Sequence, residues 1–245
     1  MTYCVGMLLR SGLVMVSDTR TNAGVDHIAS FRKMTVWEEP GERVVVLTAS
    51  GNLALTQSVV NYLEEGVPGA DDAAGQTMRD VESMFKAAQL VGQAIQAVYR
   101  VHGPALEAKD PGAFNVSFLL GGQIRGRRLR LFQIYAAGNF IEATEQTCFL
   151  QIGETKYGKP ILDRALTFDT DLRQAAKLAL ISMDSTLRSN LSVGPPIDLV
   201  IYPIDALRVD VRKCLDEQDG YFRNIRQLWS QSLREAFQRL PDPDW

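Results

Sequence analysis

Histidine is scarce: the 245 residues contain only His27 and His102, and neither stands in an HExxH, HxH or cysteine-rich context. Clustered nitrogen and thiolate ligands of a zinc site are therefore missing, and no metal is expected. A serine–histidine–aspartate triad has no place either, because no GxSxG elbow is present to present the serine. Walker A and GxGxxG loops are also absent, so no phosphate- or dinucleotide-binding fingerprint remains and no cofactor is expected. The three cysteines, Cys4, Cys148 and Cys214, are odd in number, widely spaced and without a CxxC pair, which suits reduced thiols, mostly buried. No apolar run approaches the ~18 residues of a membrane span, and the short one after Met1 is broken by Arg10. A cytoplasmic location follows as the expectation. With a formal net charge of −3 there is no global basic field to attract nucleic acid or anionic lipid. The most basic stretch, Arg125, Arg127, Arg128 and Arg130, is flanked by apolar runs and reads as a hairpin tip or subunit contact.

What is present is ordinary globular composition, 46% apolar and 22% charged. No long Pro-, Gly- or Ser-rich linker and no internal repeat divides the chain, so one domain over residues 1–245 is expected. Residues 2–9 and 13–16, on either side of Arg10-Ser11-Gly12, read as a hairpin. Residues 32–37 and 44–48, separated by Pro40-Gly41, read as two further strands. Helices fit residues 50–65 and 74–102, the second on the recurrence of Met78, Val81, Phe85, Ala88, Gly92, Ile95 and Val98. Strands follow at 114–120, 129–136, 139–143 and 148–152, broken at Gly121-Gly122, Gly126 and Gly138. Helices at 155–166 and 171–188, strands at 197–202 and 207–211, and a helix at 219–239 complete the chain. Strands and helices come in blocks and not in βαβ alternation. An α+β fold with antiparallel sheets, layered as a four-layer αββα sandwich, is the expectation.

Thr2 stands directly behind Met1. Removal of one residue would place a hydroxyl and an α-amine on the same residue, nucleophile and base together. The segment Ser17-Asp18-Thr19-Arg20-Thr21-Asn22-Ala23-Gly24 resembles the loop after the second strand of proteasome β-subunits, which are N-terminal-nucleophile hydrolases. Lys33 falls on a third strand, where those enzymes carry their active-site lysine, and Ser50-Gly51 resembles the glycine turn before their first helix. Gly153, Asp184 and Pro195-Pro196-Ile197-Asp198 extend the likeness, which is similar over nearly the whole chain to the bacterial Anbu group.

The resemblance implies a threonine peptidase, and the residues supply its chemistry. A freed α-amine, with an ordinary pKa of about 7.7–8.0, is suited to accept the Thr2 hydroxyl proton near neutral pH. A lysine is too basic to be the default base, but the Lys33 ammonium would favour the developing alkoxide, with Asp18 holding it in place. Gly51, turning into a helix, would aim a backbone N–H at the oxyanion. By resemblance, Asp184 takes an acidic position steadying the amine, and Ser185 or Ser189 supplies the accompanying hydroxyl. Glu154 stands where the family has a serine. Lys33 lies one residue nearer to Thr2 than in the family, which requires a loop shorter by one at residues 24–30; otherwise its side chain would face away.

The same resemblance implies that an extended peptide or unfolded protein binds as a strand between the segments around Asn22 and around Ala49 to Gly51. Arg20, Phe31 and Ala49 are expected to line the first pocket. It also implies a homo-oligomer in a ring or open ring, while no unfoldase partner is identifiable. A small-amide or γ-glutamyl hydrolase with the same mechanism, and an assembly subunit without turnover, are the alternatives. The end Leu240-Pro241-Asp242-Pro243-Asp244-Trp245 cannot continue a helix and is read as a tail that docks on a neighbour or frays.

Overall fold

A computed structural model describes residues 1–22, 28–68 and 75–245, with the side chains of Asn22 and Ile28 outside the description. His27 and the Ala23-Gly24 end of the signature lie outside the described residues. The chain opens with β1 (Tyr3–Leu9) and β2 (Gly12–Asp18), followed by a short hairpin of β3 (Arg20–Asn22) and β4 (Ile28–Ser30). Next come β5 (Met34–Glu39), β6 (Arg43–Gly51), α1 (Leu53–Glu65) and α2 (Met84–Glu107). Strands β7 (Val116–Ile124), β8 (Arg130–Ile134), β9 (Phe140–Glu142) and β10 (Phe149–Gly153) precede α3 (Lys159–Ala165) and α4 (Leu172–Ser189). The chain closes with β11 (Ile197–Pro203), β12 (Val211–Leu215) and α5 (Gly220–Gln238).

Two five-stranded antiparallel sheets result, ordered β10-β1-β2-β11-β12 and β5-β6-β7-β8-β9. They stack on a shared core that includes Cys4, Leu13, Met15, Val44, Val46 and Leu119. On its other face the second sheet packs Val45, Leu47 and Phe118 against α1 and α2. The first sheet packs Val5, Val14 and Val16 against α3, α4 and α5. This is the expected αββα sandwich. Because both faces of β2 are covered, Leu13 and Met15 point to one core and Val14 and Val16 to another, and all seven of its residues are buried. Each such side chain contributes about 1.5–3 kcal/mol of apolar burial.

Boundaries differ from expectation where side chains intervene. Helix α2 starts at Met84, ten residues later than the spacing predicts, because Ser83 caps Lys86 N and the Thr77–Asp80 turn closes on its own hydrogen bonds. Met78 and Val81 are buried in the same core without being helical, which is why their spacing misleads. Gly121-Gly122 does not break β7: a Cβ on Gly121 would lie 2.8 Å from Leu13 Cδ2 of the other sheet, and one on Gly122 would run into the Val44 carbonyl of β6, so each glycine marks a close approach and not a turn. The last strand lies at Val211–Leu215 and not at 207–211. Gln123 grips Asp205 from both sides (2.7 and 2.9 Å), holding a turn in which Asp205 and Leu207 take positive φ.

Candidate active site

Thr2 is 7% exposed at the mouth of β1, while Met1 is 65% exposed. The Thr2 carbonyl accepts a hydrogen bond from Glu154 N at 2.7 Å, extending the β1–β10 ladder by one residue past the Tyr3–Gly153 pair. Asp18, the last residue of β2, is fully buried. Its Oδ1 accepts from Tyr3 N (3.1 Å) and Lys33 Nζ (2.8 Å), and its Oδ2 accepts from Gly194 N (3.3 Å). Burial pushes the Asp18 carboxyl above its ordinary value, and the Lys33 ammonium with the two N–H donors pulls the other way. One carboxylate thus joins β1, β2, the lead into β5 and the loop before β11.

Lys33 lies one residue ahead of β5 and not inside a strand. Its carbonyl accepts from Ala49 N, which carries the β5–β6 pairing one step further. Its ammonium donates to Asp18 and, at 2.6 Å, to the Arg20 carbonyl. Two of its three protons are committed, and the side chain lines a cavity of about 330 Å³ together with Thr2, Thr21, Ala49, Gly51 and Asn52. The lysine therefore faces inward, as a loop shortened by one residue requires. Gly51 ends β6 at φ +112, and Asn52 caps α1 by accepting from Ala54 N and Leu55 N. The electropositive start of that helix opens on the cavity wall.

Ala49 also lines an adjoining cavity of about 360 Å³, with Arg32, Thr35, Leu53, Thr56 and Gln57. The other expected pocket residues are placed differently. Arg20 donates to the Leu191 carbonyl (3.1 Å), pairs with Glu217 (3.6 Å) and lines neither cavity. Its guanidinium is drawn to the loop after α4. Phe31 is 41% exposed and lines neither cavity. Asn22 ends β3, and its side chain lies outside the described residues.

Two expectations need correction. Asp184 does not stand free to steady an amine: Arg188 and Arg226 occupy its two oxygens and tie α4 to α5. Ser189 is exposed at the last turn of α4, and Ser185 donates to Ile181 O within its own helix. In their place the structure brings Glu154 and Asn190 to the Thr2 strand. Glu154 is 6% exposed; its Oε2 accepts from Asn190 Nδ2 at 3.0 Å, and Asn190 Oδ1 accepts from Ser192 N. Glu154 is noticeable in sequence only as a departure from a pattern. Asn190 was findable only as the residue that stops α4.

Cys4 stands on the same strand as Thr2, but full burial pushes its thiol up to about 12, so it is no rival nucleophile near neutral pH. Among the described residues no cluster of His, Cys, Asp and Glu is arranged to hold a metal, and no helix is long and apolar enough to cross a membrane.

Fold and site together define an αββα protein of the N-terminal-nucleophile, proteasome-β-like class. No protein-family model matches the chain. Among curated proteins it is 24% identical over 208 residues to proteasome subunit beta 2 of Pyrobaculum islandicum, covering 85% of this chain and 94% of that one. Among solved structures, Anbu (ancestral beta-subunit) from Yersinia bercovieri is 48% identical, with 99% of each chain covered and a TM-score of 0.89. Anbu from Hyphomicrobium sp. strain MC1 is 50% identical over 99% of this chain and 100% of that one, with a TM-score of 0.87. A helical assembly of the Anbu complex from Pseudomonas aeruginosa is 48% identical over 98% of each chain, with a TM-score of 0.89. The chain belongs to the Anbu family of proteasome-like proteins.

Proposed function

We propose that the chain is a threonine peptidase that cleaves peptide bonds through an acyl-enzyme on Thr2, acting as one domain within a cytoplasmic homo-oligomer. The observation that carries this reading is the Lys33 ammonium, fixed by Asp18 and the Arg20 carbonyl on the cavity wall that also contains Thr2. Met1 must first be removed, since its peptide bond acylates the Thr2 nitrogen. The freed amine then takes the Oγ proton, directly or through one water, as Oγ bonds to the substrate carbonyl carbon. The negative charge passes to the carbonyl oxygen, facing the end of β6 at Gly51 and the start of α1. Collapse breaks the C–N bond, the amine proton goes to the departing nitrogen, and an ester remains on Oγ. Water, deprotonated by the same amine, cleaves that ester and restores Thr2.

Thr21 in the middle of β3 and Ala49 near the end of β6 both line the cavity. Thr21 Oγ1 is buried without a partner among the described residues, leaving it for a main-chain group of an extended peptide. Self-assembly is supported by the helical assembly of the Pseudomonas relative.

Protein purified without Met1 should be labelled at Thr2 by an electrophilic peptide, whereas Thr2→Ala and Met1-bearing protein should not; intact mass reads all three, and equal labelling of Thr2→Ala sinks the proposal. The labelling rate should rise with pH through about 8, as the α-amine loses its proton. On the acid side, protonation of Asp18 releases Lys33, so the lower limb should begin above the ordinary carboxylate range of about 4, because burial raises Asp18. A rate flat from pH 5 to 9 would exclude the amine as base.

A further inference from the structure

Helices α3, α4 and α5 cover the outer face of the first sheet, but beside its edge strand β12 the cover is incomplete. A groove of about 300 Å³ lies there, between α4, the β11–β12 pair and the first turn of α5. Leu180, Leu199, Ile201 and Val211 give it an aliphatic lining, and Arg173, Lys177 and Lys213 stand around it. None of the three cations has a salt-bridge partner among the described residues. Asp219, the one acid in the lining, is engaged as the cap of α5, accepting from Phe222 N. The groove therefore combines apolar surface with unpaired positive charge.

The far end of α5 presents the complement. Past Arg239 the chain runs as Leu240-Pro241-Asp242-Pro243-Asp244-Trp245 without regular structure, with Leu240 67% and Trp245 99% exposed. Pro241 and Pro243 bias this segment toward an extended form before it meets anything, which lowers the cost of ordering it. Two carboxylates alternate with the prolines, and an indole follows.

We infer that the groove receives residues 240–245 of a second copy of this chain, Trp245 lying on the aliphatic lining and Asp242 and Asp244 against Lys177, Lys213 and Arg173. The chain's own tail falls short. Helix α5 starts at the groove, where Tyr221 lines it, and its 19 residues carry the chain about 28 Å away. Residues 239–245 span about 25 Å at full stretch, less in the extended form proline favours. The contact joins the tip of α5 in one copy to its base in the next, a head-to-tail interface that propagates into a ring or a helix. It rests on the self-assembly proposed above.

Light scattering of the parent chain and of a chain lacking residues 241–245 tests it, with far-UV circular dichroism as the folding control. The parent is expected to run as an assembly and the truncated chain as a smaller species at equal concentration. A fluorescent peptide of residues 238–245 should bind the truncated chain, and Lys177→Glu/Lys213→Glu should weaken that binding about tenfold or more. Asp242→Lys/Asp244→Lys chains should co-assemble with Lys177→Glu/Lys213→Glu chains when neither assembles alone. A monomeric parent overturns self-assembly, and this contact with it, even if the peptide binds. An assembled parent whose truncated form keeps its full mass overturns the tail contact alone, and peptide binding indifferent to the charge reversal overturns its placement in the groove.

Discussion

Lys33→Met should slow labelling of Met1-free protein by about 10²–10³-fold, the scale of removing one preorganised charge from a transition state, and should also destabilise the fold. The second effect comes from Asp18, whose side chain is 0% exposed against 6% for Lys33. Removing one partner of a buried pair leaves an uncompensated charge, at a cost of about 3–5 kcal/mol. The Tyr3 and Gly194 N–H donors remain, but without the ammonium burial outweighs them by more and lifts the folded pKa of Asp18 further above the unfolded value. With the folded state holding its proton to higher pH, stability falls as pH rises through that pKa. The deficit should be smallest near pH 5 and largest near pH 8. Asp18→Asn/Lys33→Met removes both charges and keeps an acceptor for Tyr3 N, so it should recover most of the stability at pH 8 and none of the labelling. Thermal melts at the two pH values, beside labelling rates, separate the effects; a Lys33→Met protein that labels at the parental rate would end the role assigned to the ammonium.

The layer order was legible because block periodicity is a property of contiguous residues. The density of strand-forming residues in β1 and β2, the apolar spacing along α2 and α5, and the Pro40-Gly41 turn each act within a few positions. Thr2, Asp18 and Lys33 were brought together by the likeness of the segment from Ser17 to the proteasome signature, and a one-residue count raised the question of which way the lysine faces. Asp184 is drawn away by a distant partner, Arg226, 42 residues further on, and Ser189 falls on the exposed last turn of α4. Glu154 reaches Asn190 across 36 residues, and Gln123 shapes the turn at Asp205 across 82. Such pairings follow from how sheets and helices stack, which no local pattern encodes. Arg20 shows the converse: a residue beside the signature whose charge is drawn off by the loop after α4 and by Glu217.

Gly153 gives the second large effect, because it concerns the position of Thr2 and not its chemistry. Gly153 holds φ +82, and a Cβ on it would run into the Thr2 carbonyl, the atom that accepts from Glu154 N at 2.7 Å. Gly153→Ala must therefore either abandon that backbone conformation or push Thr2 out of the ladder. Gly41 has the same φ of +82 with nothing within 4 Å of an added Cβ, so Gly41→Ala carries the backbone strain without the collision. Strain of this kind costs about 1–3 kcal/mol at either site, and both variants should melt earlier. Only Gly153→Ala should also lose labelling, by about 10²-fold, because a displacement of about 1 Å between nucleophile and substrate is enough to cost that much. Equal labelling by the two variants, measured below both melting points, would mean that the β1–β10 pairing at Gly153 stabilises the sheet without positioning Thr2.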